Sequence, residues 1–143
     1  MKKQSVLFLC THNSARSQMA EGLMNHLRGD RYQAYSAGTE PGAVHPLAVK
    51  VMAEIGIDIS AHRSKHVREF VGRELDLVVT VCDNAREACP FFPGAKESRH
   101  ESFPDPASVS GSEEVKLVAF RSGRDAILKW IEKLETEASG WRQ

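Results

Sequence analysis

The chain has no apolar stretch approaching the ~20 residues that a membrane-spanning helix needs. Its basic start, Met1-Lys2-Lys3-Gln4, leads only into the short apolar run Val6–Leu9, and a signal peptide needs a longer one. Both absences point to a cytoplasmic protein with no membrane partner. Neither charge is in excess, since 19 Lys and Arg face 19 Asp and Glu. A general nucleic-acid binder carries a basic surplus, so that class is set aside, although a locally positive pocket is still allowed. Cysteine is scarce, at three in 143 residues. In a compartment that keeps thiols reduced, a small odd number is not a disulfide framework. Thiol chemistry and inert burial are the readings left. No repeat, low-complexity tract or linker divides the chain, so we read one domain over residues 1–143, and we expect a monomer.

What is present alternates between strand and helix signals. Val6–Leu9 is a fully apolar run of strand length. Met19, Ala20, Leu23, Met24 and Leu27 then recur at helical spacing, ended by Gly29-Asp30. Gln33–Ala37 reads as a second strand closed by Gly38, and Pro46 opens a helix expected to bury Val49, Met52 and Ala53, with Ile55 near its end. Leu75–Cys82 is the strongest strand, rich in β-branched residues. A short helix over Ala85–Ala88, a weak strand over Lys96–Glu101 and a loop over Phe103–Gly111 follow. Leu117, Phe120, Ile127, Ile131 and Leu134 mark a long final helix. This order predicts an α/β fold with a parallel sheet, helices on both faces and right-handed crossovers.

The first strand runs into Cys10-Thr11-His12-Asn13-Ser14-Ala15-Arg16-Ser17, a polar segment that opens a helix. It lies at the carboxyl edge of the expected sheet, where open α/β sheets bind ligands. Backbone N–H groups of such a loop converge on one point, and the helix dipole adds positive potential. The nest suits a tetrahedral oxyanion and favours a thiolate at Cys10. Arg16 can grip two oxygens of the anion, and Ser17 can donate to the sulfur. The loop has no glycine, so Asn13 is the residue best able to take a left-handed conformation.

Cys10, five intervening residues, then Arg16-Ser17 near the N-terminus resembles the low-molecular-weight protein tyrosine phosphatase family. The continuation Ser17-Gln18-Met19-Ala20-Glu21-Gly22 and the segment Ser36-Ala37-Gly38 are similar to its thioredoxin-coupled arsenate reductase branch. Over nearly the whole chain, the resemblance implies a flavodoxin-like sheet of four parallel strands and an oxyanion held by residues 10–17. Reducing arsenate takes two electrons, which a protein can supply by forming a disulfide. The block from Val81 through Cys82 and Cys89 to Pro90 is similar to the redox segment of that branch. The resemblance therefore implies a relay from Cys10 to Cys82 to Cys89, a Cys82–Cys89 redox disulfide, and thioredoxin as reductant with no bound cofactor. Read from the residues alone, Cys82 and Cys89 are also open to inert burial. Cys82 and Cys89 do not match the usual Cys-x2–4-Cys spacing of a zinc site, so no metal is expected.

In the resembling families an Asp-Pro pair supplies the general acid, and Asp105-Pro106 matches it, held between two prolines. A phosphotyrosine pocket would call for aromatic walls there, whereas Ala107 and Ser108 follow. The basic stretch His62–His66 reads as a solvated face or as part of the site. Some relatives place a potassium ion near it beside an acidic residue. Here the matching residue is Lys65, whose ammonium would take the cation's place near Glu21 and Ser36, which argues against a potassium requirement. Ala15 and His12 also depart from the pattern, standing where relatives often carry cysteine and glycine. His26, His45 and His100 show no partner pattern and are read as structural or surface residues. A helix joining Cys82 to Cys89 would hold them about 10.5 Å apart, beyond the ~7 Å a disulfide tolerates, so residues 82–92 are expected to rearrange on oxidation.

Overall fold

The computed structural model describes residues 3–82 and 94–141, with side chains to 134. Strands β1 (Gln4–Cys10), β2 (Tyr32–Gly38), β3 (Leu75–Thr80) and β4 (Ala95–His100) form one parallel sheet in the order β2-β1-β3-β4. β1 is central because Val6, Leu7, Phe8 and Leu9 are fully buried and so need cover on both faces. It pairs Leu9 with Ala37 on one side and with Thr80 on the other. The carboxyl ends of all three strands thus meet where Cys10 leaves the sheet.

Helices α1 (Arg16–Arg28), α2 (Pro46–Ala53) and α3 (Glu113–Trp141) supply one cover. Phe8 and Ser36 are register partners. Phe8 meets Trp130 of α3 edge-on at 6.2 Å, and Ser36 bonds Glu21 of α1, so both helices lie on one face. On the other face Phe70, from the 3-10 turn Val67–Phe70, packs on Tyr35 at 5.6 Å. The free edge of β2 is closed by Asn25, whose amide accepts from Ala34 N–H and donates to Ala34 C=O at 2.8 and 3.1 Å.

The sheet and the α3 stripe follow the sequence reading, with Leu117, Phe120, Ile127, Ile131 and Leu134 all buried. The buried face of α2 follows that reading only at Met52. It is Ala48, Val51 and Met52, while Val49 is half-buried and Ala53 and Ile55 are exposed. The cause is tertiary: α2 packs against α3 and α1 rather than the sheet. Arg124 of α3 takes part in that contact, donating to Val51 C=O at 2.7 Å and pairing with Glu54 at 3.0 Å. β3 ends at Thr80, short of the expected Cys82, and the loop after Phe103 contains the 3-10 turn Pro106–Ser108. The helix expected over Ala85–Ala88 lies outside the described residues, as does the rearrangement expected of that segment. Among the described residues no helix is long and apolar enough to cross a membrane.

Candidate active site

The loop between β1 and α1 turns its carbonyls outward, each to a fixed donor. Thr11 C=O accepts from Glu40 N–H at 2.8 Å, and His12 C=O from Gly42 N–H at 3.1 Å and the Ser64 hydroxyl at 2.9 Å. Asn13 C=O accepts from the Gln18 amide at 3.2 Å, Ser14 C=O from His45 N–H at 2.9 Å, and Ala15 C=O from Met19 N–H at 2.9 Å. A chain whose carbonyls point out presents its amides inward, which makes an anion nest. Asn13 takes the left-handed conformation expected of it, with φ +49°. Its side chain is held at both ends: Nδ2 donates to Ser17 at 2.7 Å, and Oδ1 accepts from Lys65 N–H at 2.8 Å and Gln18 at 2.9 Å. Gly38 lies against the same loop. A Cβ there would come within 2.6 Å of Thr11 O and 2.9 Å of Asn13 N.

Cys10 is buried with its sulfur 2.8 Å from the Ser17 hydroxyl and 3.2 Å from Asn13 N–H. Each contact can stabilise negative charge on sulfur. Arg16 opens α1 beside it, donating from Nη1 to Phe103 C=O at 3.0 Å. Its Nη2 lies 3.7 Å from Asp105, and its Nε is buried without a partner. Asp105 is fixed by accepting from Ala107 N–H at 2.9 Å, capping the 3-10 turn. Cys10, His12, Ser14, Ala15, Arg16, Asp105 and Ala107 enclose a cavity of about 50 Å³. The thiol, the guanidinium and the Asp105 carboxyl group thus face one small space.

The second thiol is at hand. Val81 N–H bonds Leu9 C=O at 2.8 Å, extending the β1–β3 pairing by one step. Cys82 is therefore buried beside the loop, its sulfur 3.3 Å from the Thr11 hydroxyl. Both cysteines are free thiols. Cys89 lies outside the described residues.

Behind the loop the structure gathers Glu21, Ser36 and Lys65. Ser36 donates to Glu21, and the Lys65 ammonium stands 3.8 Å from Glu21 and 3.0 Å from Arg63 C=O. Burial pushes the Lys65 amine below its ordinary range, partly opposed by Glu21. Gln18 and His62, to which the sequence reading gave no role of their own, join this network. Gln18 donates to Arg63 C=O at 2.9 Å, and its carbonyl oxygen lies 3.0 Å from His62 Nδ1. No local pattern could reveal these long-range partners. His12 sets its Nδ1 3.0 Å from Glu40 C=O. A carbonyl only accepts, so that nitrogen carries a proton. Among the described residues no group of three His, Cys, Asp or Glu could hold a metal ion.

A cysteine cradled in a strand-to-helix loop, with a following arginine and a late aspartate, defines the class. Residues 5–143 match the low molecular weight phosphotyrosine protein phosphatase family, and the chain belongs to that family. Within it, an arsenate reductase of Halalkalibacterium halodurans is 48% identical over 131 residues, 92% of this chain and 94% of the relative. A solved arsenate reductase in its phosphate-binding state is 31% identical with a TM-score of 0.80, over 94% of this chain and 98% of that one. A thioredoxin-dependent arsenate reductase of Corynebacterium glutamicum is 25% identical with a TM-score of 0.65, over 94% of this chain and 63% of that one.

Proposed function

We propose that this protein reduces arsenate to arsenite through a thiol relay, with thioredoxin as the electron donor. The observation that carries the reading is the Cys82 sulfur seated on Thr11 of the oxyanion loop. Ester hydrolysis needs one thiolate and an acid. A second buried thiol at the same loop gives a route for two electrons.

Arsenate enters the nest with Arg16 on its oxygens, through backbone amides of residues 11–17. The Cys10 thiolate attacks arsenic, and Asp105 protonates the departing oxygen, which leaves as water. Cys82, as thiolate, then attacks the Cys10 sulfur. The arsenic–sulfur bond breaks with its electron pair on arsenic, giving arsenite and a Cys10–Cys82 disulfide. Cys89 attacks Cys82, freeing Cys10 and leaving Cys82–Cys89 for the thioredoxin dithiol to reduce. Lys65 supplies beside Glu21 the positive charge that a bound cation would otherwise bring, so turnover needs no potassium. The protein works as a cytoplasmic monomer.

Hydrolysis of a phosphoester would use Cys10, Arg16 and Asp105 alone. The small Ala107 on the cavity wall offers no aromatic surface for a phosphotyrosine ring. The decisive assay combines the protein with arsenate, thioredoxin, thioredoxin reductase and NADPH. Arsenate-dependent NADPH consumption is the expected result, and its absence in folded, reduced protein would refute the reading.

A further inference from the structure

The outward carbonyls of the oxyanion loop depend on a brace that no chemistry above has used. Glu40, Gly42 and His45 donate their backbone N–H groups to Thr11, His12 and Ser14 in turn. The last of these donors is itself fixed. His45 is the N-cap of α2, its Nδ1 accepting from Leu47 N–H at 3.1 Å. That bond requires an unprotonated Nδ1, so the ring is neutral with its proton on Nε2. The ring also lies tilted against Phe120 of α3, with centroids 4.6 Å apart.

We infer that His45 is a positioning residue for the oxyanion loop, its neutral imidazole fastening the Ser14 carbonyl outward by capping α2. This deepens the reading of residues 10–17 as an oxyanion site and rests on it. The geometry gives the direction. Protonation places a hydrogen on Nδ1, the cap is lost, and the His45 N–H loses its fixed aim at Ser14. The ring belongs to the wall of a cavity of about 320 Å³ between α2, the Asp105 turn and α3, lined also by Leu47, Ala107, Glu113, Lys116 and Phe120. The charged groups facing it are Asp105 from the turn and Lys116 and Glu113 from α3, with Lys50 of α2 at 4.0 Å from Glu113. Burial holds the imidazole below its ordinary 6.5; Asp105 works against that and Lys116 with it. The cap is therefore intact at neutral pH and opens on acidification.

Two substitutions separate the cap from its titration. His45→Asn keeps a capping side chain that does not titrate, and His45→Ala removes the cap. Inorganic phosphate is the probe, its affinity measured by calorimetry from pH 5 to 8 on reduced, full-length protein with the fold checked by circular dichroism. At pH 7.5 His45→Asn should bind as the parent does, and His45→Ala about fivefold more weakly, the effect of one lost helix cap. As pH falls below 6.5, parent affinity should drop relative to His45→Asn; phosphate's own ionisation cancels in that ratio. A constant ratio, or a parent that gains affinity on acidification, would overturn the proposal. The second result would mean that the ring acts as a charge rather than a cap. Equal binding by His45→Ala at pH 7.5 would overturn it as well. If the parent binds no phosphate at any pH, the oxyanion-site reading falls with it.

Discussion

Replacing Gly38 with alanine tests whether the oxyanion loop is shaped from outside. Gly38 ends β2 as the register partner of Cys10. The added Cβ would sit 2.6 Å from Thr11 O, 2.9 Å from Asn13 N and 3.0 Å from Cys10 O, all backbone atoms. Ordinary contact begins at 3.4 Å, so Thr11 O must retreat by about 0.8 Å and Asn13 N by about 0.5 Å. Neither can do so freely. Thr11 O is held by Glu40 N–H at 2.8 Å, and Asn13 N–H is the donor to the Cys10 sulfur at 3.2 Å. Overpacking of this kind costs about 1–3 kcal/mol, against which alanine recovers ~0.4–1 kcal/mol from a less flexible unfolded chain. The net loss should be about 1–2 kcal/mol. At a slope of roughly 2 kcal/mol/M in urea, the midpoint falls by about 0.5–1 M. Function should suffer as well, since a misplacement of ~1 Å costs as much as ~100-fold in rate. About tenfold weaker phosphate binding is expected. Gly42→Ala is the control, because nothing lies within 4 Å of its added carbon. Its stability should change by no more than about 0.5 kcal/mol. If Gly38→Ala kept both the urea midpoint and the phosphate affinity of the parent, the external shaping of the loop would be refuted.

Asn13→Gly should restore the left-handed backbone but none of the side-chain bonds, and Asn13→Ala should lose both. Chemical denaturation is expected to rank stability as parent, then glycine, then alanine, the last down by ~2 kcal/mol or more; equal stability of the two variants would deny the conformational role. Hydrogen bonds from Arg121, then Arg124, hold the Glu54 carboxyl at about 2, against an ordinary 4.5. A folded-state value below the unfolded one means that its contribution is full above pH 4.5 and is lost as pH falls toward 2. Glu54→Gln should thus be less stable than the parent at pH 6, with the gap closing between pH 4.5 and 2; a gap independent of pH would contradict this. Cys82→Ser should abolish thioredoxin-linked arsenate turnover while leaving any slow aryl phosphate hydrolysis within about threefold. Equal loss of both activities in a folded variant would argue against a separate reducing role.

Local chemistry made much of the molecule legible. A short, fully apolar run such as Val6–Leu9 reads as a strand covered on both faces, and the helical spacing of Leu117 to Leu134 fixes one buried stripe on a helix, whatever packs on it. Likewise, a glycine-free loop leaves Asn13 as its natural left-handed residue. These features depend on neighbours in the chain, so the sequence by itself determined them, together with the Cys10-to-Arg16 loop they present. The tertiary structure decided whatever depends on which distant residue arrives. The α2 periodicity allowed several faces, and contact with α3 selected Ala48, Val51 and Met52. Glycine at position 38 read as a strand stop, but its necessity comes from Thr11 O, a partner across the sheet. His45 showed no pattern because its roles are a cap, a backbone bond to Ser14 and a ring on Phe120, the last two joining segments far apart in the chain. The contacts of Gln18 with Arg63 and His62 were hidden for the same reason. A hydrogen bond between remote segments leaves no periodic trace in either one, and only folding sets the distance that makes it.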